Sequence, residues 1–341
     1  MHICVATNNK NNISIMKHRL TKFAAIGLML MVAVACSATQ GGGSPKKEKL
    51  EPTNAIYHWK GVYNPSAEER AFMESHAIGR LYIRLFDIAA EYNAVEQRME
   101  AVPIATTRFD AAVPYDVEVV PVTYITVEGL RQMEDYEAYY AGVIVERMMA
   151  MASYNELGDI KEIQYDCDWT ESTRHIFFAL CQETCDMLHE RGMKLSVTVR
   201  LHQMREEAPM ADRGVLMLYN TGSLRSAKTR NSILDISDIE PYLRKRNYPF
   251  PLDYAYPTFG WGVVFNEGRF SHLVTNYDGV ELGEGETMRV ERPTTEEILE
   301  VKRRVTKAFG KPHQANIIYH LDSNQLNNYT DDEINEIFAR N

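Results

Sequence analysis

Hydrophobic and polar positions along this chain follow two periods. Short, nearly continuous apolar runs recur at residues 56–62, 81–87, 117–125, 162–168, 195–200, 215–219, 252–259 and 315–321. Runs of that length, apolar on both faces, predict strands of a parallel sheet covered on both sides. Helical spacing fills the intervals. Met133, Tyr136, Tyr140, Val143, Ile144, Met148 and Met151 form one stripe that closes before Gly158. Phe177, Leu180, Cys181, Cys185 and Leu188 form another between Thr173 and Gly192. Both read as core-facing helices. Ser66 with Glu69, Thr294 with Glu297 and Thr330 with Glu333 have the spacing of capping boxes, so three further helices start there.

Eight strands with intervening helices in residues 54–341 predict an α/β fold, a single (β/α)8 barrel. Residues 201–214 leave room for only a weak fifth helix, and residues 262–293 read as an inserted excursion after the seventh strand. A doubly wound open sheet is the alternative. No glycine-rich loop follows the first strand, which argues against the nucleotide-binding form of that sheet.

The first 35 residues read differently. Lys17, Arg19 and Lys22 precede an apolar run from 23 to 35 and then Cys36, the order of a secretory signal, and the run is short for a membrane span. The small residues Ala33-Val34-Ala35 before Cys36 resemble a bacterial lipoprotein signal. That resemblance implies a lipid on Cys36 and a place at the cell envelope. Residues 36–53, with Gly41-Gly42-Gly43-Ser44-Pro45, then read as a flexible tether.

Residues 1–35 carry four basic side chains and no acidic ones, so the formal charge of −10 becomes −14 once they are removed. Such an acidic surface disfavours nucleic acid and anionic bilayers as partners, leaving the lipid as the contact with a membrane. Cys181 and Cys185 share a helical face, but no second Cys or His pair stands at metal-ligand spacing. No zinc motif and no cofactor are read, and Cys167, Cys181 and Cys185 are expected as buried thiols.

In a barrel, chemistry gathers at the carboxyl ends of the strands. Those ends carry Trp59, then Arg84 and Asp87, then Asp166, Asp168, Trp169 and Glu171, then Arg200 and Gln203. Tyr219 and Asn220 follow on the sixth, Tyr256 and Trp261 at the seventh, and Tyr319-His320-Leu321-Asp322 at the eighth. Aromatic rings that stack on sugar C–H faces, beside carboxylates, amides and guanidinium groups that bond hydroxyls, suit a glycan. No Gly-x-Ser-x-Gly elbow or Ser-His-Asp order supports acyl transfer. Asp166 and Asp168 lie two apart and face one way, which makes them the central carboxylates. Two close carboxylates push one pKa up and supply an acid and a base from one pair.

Asp166-Cys167-Asp168-Trp169 resembles the Asp-x-Asp-x-Glu motif of the chitinase-type glycoside hydrolases, family eighteen. Met217-Leu218-Tyr219-Asn220 is similar to that family's Met-x-Tyr-Asp. The family's eighth-strand tryptophan has no clear counterpart, although Trp261 is near. Thr170 stands where the family has its acid, and Asn220 replaces the second motif's Asp. A wider set, including Phe86-Asp87, residues 164–170, Arg200-Leu201-His202-Gln203 and Leu218 to Gly222, looks like an uncharacterised family of bacterial lipoprotein barrels.

The resemblance implies a glycosidase acting on a glycan. Asp168 would be central, Asp166 its partner, Glu171 or Asp87 the external acid, and Tyr219 the support for the reacting sugar. Trp59, Trp169 and Trp261 would be stacking walls, and Arg84, Arg200, Gln203, Asn220 and Tyr256 further substrate contacts. The alternative is a carbohydrate-binding barrel that has lost its acid at Thr170. A third reading places Mg²⁺ or Ca²⁺ among Asp87, Asp166, Asp168 and Asp322.

Overall fold

The computed structural model describes residues 53–340 except 227, 245, 246 and 276. The predicted signal, Cys36 and all but the last residue of the predicted tether lie outside the described residues.

Eight parallel strands form the barrel: β1 (Asn54–His58), β2 (Ile78–Asn93), β3 (Glu118–Ile125), β4 (Glu162–Cys167), β5 (Lys194–Val199), β6 (Arg213–Met217), β7 (Leu252–Pro257) and β8 (Asn316–Tyr319). Each hydrogen-bonds to the next. β8 closes the circle on β1 through Ala55 opposite Ile317 and Ile56 opposite Ile318. All eight apolar runs become these strands, and closure excludes the open sheet.

The longer helices are α1 (Ala67–Ser75), α2 (Glu137–Tyr154), α3 (Arg174–Glu190), α4 (Thr295–Phe309) and α5 (Asp331–Phe338). All three capping boxes form with both reciprocal bonds. In α2 the buried face runs through Ala141, Ile144, Val145, Met148 and Ala152, while Tyr136 and Val143 are exposed. The predicted stripe is therefore rotated, because the small Ala141 and Ala152 let that face approach the barrel.

Three connections have no full helix. β2 runs beyond the barrel and turns into an antiparallel partner, Arg98–Ile104, with Asp87 opposite Ile104 and Asn93 opposite Arg98. Between β5 and β6 only a 3₁₀ turn, His202–Arg205, fits, as the short interval predicts. Between β6 and β7 one helical turn forms at Ile236–Ile239. The excursion after β7 is a three-stranded antiparallel sheet, with Trp261–Asn266 between Arg269–Val274 and Glu286–Glu291.

Side chains of alternate parity point into the barrel. Ala55, Tyr57, Val122, Met217, Ala255 and Ile317 pack there, and the larger apolar layer lies outside, between strands and helices. At the amino-terminal end of the barrel the inward residues are charged. Arg213 pairs with Glu162, and Arg80 holds Glu118 at 2.7 Å and bonds Gln314. Asp253 accepts the N–H groups of Gln314 and Ala315 at 2.6 and 3.0 Å. Each buried charge thus meets a partner, without which burial would be prohibitive.

Candidate functional site

Inward parity on β4 carries Glu162 and Gln164 into the barrel and brings Asp166 and Asp168 to its mouth. Asp166 is buried, and the Asp168 side chain is 46% exposed. Arg200, just beyond β5, lies between them. Its Nη2 donates to Asp166 Oδ1 at 2.9 Å and its Nε donates to Asp168 Oδ1. The Thr198 hydroxyl donates to the same Asp166 oxygen at 2.6 Å. Burial pushes the Asp166 carboxyl above its usual range, and Asp168 adds to that; Arg200 and Thr198 pull it back. Burial also opposes the charge on Arg200, yet the two carboxylates keep it firmly protonated. The close carboxylates do push one of the two upward, as expected, and the sequence did not show that Arg200 stands between them as a shared cation.

Aromatic rings cluster beside these carboxylates. Tyr319, on β8, stacks on Tyr219 with centroids 4.6 Å apart, and lies 5.7 Å from both Tyr57 and Trp59. Arg84 sits 5.8 Å over the Trp59 ring and pairs with Asp87 at 3.0 Å. Burial pushes the Asp87 carboxyl up, Arg84 pulls it down, and Asp166 adds a further push upward. Tyr124 faces the same group: burial, then Asp168 and Asp166, push its phenol to about 12. A cavity of about 550 Å³ opens beside this cluster, within the range of ligand pockets. Asp168, Arg200, His202, Arg205, Tyr219 and Asn220 line it, and the loop around Ser237–Tyr242 forms its far wall. Asn220 adopts φ 55, a left-handed conformation that asparagine tolerates better than most residues.

Several sequence candidates lie elsewhere. Trp169 is only 2% exposed and packs against Phe177 and Phe178 of α3, because it follows Asp168 with outward parity. Tyr256 points outward in the same way and is fully buried in the layer between strands and helices. Gln203 is buried with its amide fully engaged. It accepts the Arg200 N–H at 2.8 Å and donates to the carbonyls of Cys167 and Trp169, each at 3.3 Å. It stitches β4 to β5 and is not a substrate contact. Trp261 donates its indole N–H to Glu291 at 2.9 Å and stands behind Phe259, which itself touches Tyr219 and Tyr319.

Glu171 is exposed in the turn leading into α3. Thr170 is also exposed; its hydroxyl lies 3.0 Å from Ser172 Oγ and 3.3 Å from Thr173 Oγ1, within the first turn before α3. Asp322 caps the turn Ser323–Leu326 and faces Lys60 at 3.5 Å. Among the described residues Asp87, Asp166, Asp168 and Asp322 do not converge as a metal-ligand group, which corrects the Mg²⁺ or Ca²⁺ reading. His58 packs against Tyr63 and His320 against Tyr319, and burial pushes each imidazole down to about 4.

Tyr319, Tyr57 and Tyr124 are site residues to which sequence reasoning assigned no role. The signal was present in strand parity, since Ile317 and Tyr319 must face the same side.

No family model matches the chain, and no curated protein matches it in sequence. Among solved structures, the fold is similar to a chitinase from Chromobacterium violaceum, with a TM-score of 0.54 and 12% identity over 84% of this chain and 97% of that one. A spore cortex-lytic enzyme of Bacillus megaterium gives a TM-score of 0.48 and 11% identity, covering 81% of this chain and 71% of that one. A family-eighteen chitinase of Cycas revoluta, in complex with (GlcNAc)3, gives 0.47 and 14%, covering 84% and 98%. At these identities the likeness is one of fold.

Proposed function

We propose that this chain binds a glycan at the mouth of its barrel and does not cleave it. The observation that carries this reading is the Arg200 bridge between Asp166 and Asp168. A glycosidase of this architecture needs a carboxylic acid beside the scissile oxygen and a free central carboxylate. Here Thr170 stands at the acid position, and Asp168 is already paired with a guanidinium. What remains suits recognition: a Trp59–Tyr319–Tyr219 floor for sugar faces, with Asp168, Arg200 and Asn220 at the rim for hydroxyls.

The test uses residues 54–341, the span that holds all eight barrel strands. Binding and release of reducing ends are measured across a polysaccharide panel that includes chitin oligosaccharides. Binding without release supports the proposal. Release that disappears in Asp168→Asn overturns it in favour of a hydrolase.

One observation favours that second reading. The Asp87 carboxyl faces the site and is pushed up by burial, the direction a general acid requires. In that case Asp87→Asn abolishes release while Glu171→Gln leaves it intact.

We also propose that Cys36 carries a lipid that tethers the barrel at the bacterial envelope. The support is the lipoprotein-like signal before it. Mass spectrometry of the processed chain tests this: an unmodified Cys36, or unchanged membrane partition of Cys36→Ser, rejects the anchor.

A further inference from the structure

Where α3 ends, beside the loop leading into β6, three side chains with different donor atoms meet. Cys185 and His189 are four residues apart and share a helix face. Asp212 arrives from just ahead of β6. One donor atom from each lies within 4.8 Å of the other two. His189 Nε2 is 3.0 and 3.1 Å from the two Asp212 oxygens. The Cys185 thiol lies 3.6 Å from the Met210 carbonyl oxygen. Asp212 Oδ2 also accepts the Leu195 N–H at 2.9 Å, which fixes the carboxylate from behind. Nearby Asp186 is engaged by Gln182 at 3.0 Å and does not belong to the group.

We propose that Cys185, His189 and Asp212 form a three-ligand site for Zn²⁺, with a fourth position open to water. A tetrahedral zinc ion, with bonds of about 2.0–2.3 Å, needs donors spaced by roughly 3.3–3.7 Å. The His189–Asp212 separations of 3.0 and 3.1 Å lie just short of that range, and all three donors lie within 4.8 Å of one another, so a small opening of the group admits the ion. His189 is half exposed, so its ring swings to the required position without disturbing the core. Thiolate, imidazole and carboxylate together select zinc over Mg²⁺ or Ca²⁺, which take oxygen ligands. The Leu195 N–H bond to Asp212 is the kind of outer contact that orients a metal ligand. An ordinary ion pair accounts for His189 and Asp212, and the Cys185 thiol donates to the Met210 carbonyl; the metal reading adds that all three donor atoms lie within 4.8 Å of one another.

The site lies at the amino-terminal end of the barrel, away from the mouth. It pins α3 to the β5–β6 junction, the connection in which only a 3₁₀ turn replaces a helix.

The test titrates the metal-free full chain with Co²⁺, followed by Zn²⁺ competition. Expected are a thiolate-to-cobalt charge-transfer band and tetrahedral d–d absorption, both displaced by Zn²⁺. Because Cys185 is buried and its replacement could disturb packing, His189→Gln serves as the main variant. It should weaken Co²⁺ binding by at least about tenfold while preserving the metal-free melting temperature. Absence of a thiolate band overturns the proposal, as does a band unchanged in both His189→Gln and Asp212→Asn.

Discussion

Replacing Arg200 with methionine removes the cation between Asp166 and Asp168 while keeping an unbranched stem in its place. The cost follows from the geometry. Asp166 is 4% exposed and its Oδ1 is 2.9 Å from the guanidinium. Two unit charges at contact in an effective dielectric near 20 attract by about 4 kcal/mol, and breaking one side of a buried pair costs about 3–5 kcal/mol. The half-exposed Asp168 is left out of this sum, because solvent screens it. Arg200→Met should therefore lose about 3–5 kcal/mol at pH 7. The sign with pH is definite. Without Arg200, burial and Asp168 leave the Asp166 carboxyl raised further above its unfolded value of 3.8, so the folded state takes up the proton first. The penalty is full above the raised folded value and shrinks as pH falls toward 3.8. Urea unfolding of the parent, Arg200→Met, Asp166→Asn and the double variant, at pH 7 and pH 5, measures this directly. Asp166→Asn in the Arg200→Met background should recover at least about 2 kcal/mol. A loss under about 1 kcal/mol in Arg200→Met, or no recovery in the double variant, refutes the bridge as a buried ion pair.

Gln203→Ala strands the Arg200 N–H and two carbonyls at the β4–β5 junction. Urea unfolding should show a loss of about 2–4 kcal/mol, and a loss under about 0.5 kcal/mol would deny its stitching role. Trp59→Ala should weaken glycan binding about tenfold, or about 1.4 kcal/mol, without loss of fold by circular dichroism. Unchanged affinity would remove Trp59 from the proposed floor. His58 and His320 are pushed from 6.5 down to about 4 mainly by burial, with a further downward push on His58 from His320. Their contribution is thus fully present above pH 6.5 and is lost as pH falls toward 4, at up to about 1.4 kcal/mol per pH unit for each imidazole. The raised carboxyls of Asp87 and Asp166 act in the opposite direction at the lower end of that window. Thermal melts from pH 7 to pH 4 of the parent and of a His58→Gln, His320→Gln variant separate the two, and an identical pH dependence in both refutes the histidine contribution.

The barrel was legible because its strands are apolar on both faces, a pattern only a covered parallel sheet requires. Parity along those strands was equally legible, and it accounts for the places of Trp169 and Tyr256. Asp166 and Asp168 share a face, so Trp169 must take the other; Ala255 points inward, so Tyr256 points out. The same rule turns Tyr319, already read at the end of the eighth strand, to the inner face that Ile317 occupies. The hairpin beyond Asp87 left little trace, since residues 88–104 alternate among small, charged and half-exposed side chains. The Arg200 bridge spans two strands more than thirty residues apart, and Asp212 reaches His189 from another element. No local spacing encodes either contact.

The charged layer at the amino-terminal end of the barrel has a consequence for how the strands choose their alignment. Arg80, Glu162 and Arg213 enter from β2, β4 and β6, and Asp253 enters from β7. Apolar strands slide past one another at little cost, and this barrel is built mainly from such strands. A slip of one residue in any of these four would turn its charge into the oily layer beneath the helices and orphan its partner. The layer works as a combination lock: mismatched alignments carry unpaired charges, and in the native one Arg213 meets Glu162 and Arg80 meets Glu118. The aromatic floor at the other end therefore inherits its alignment from four residues that never approach the mouth.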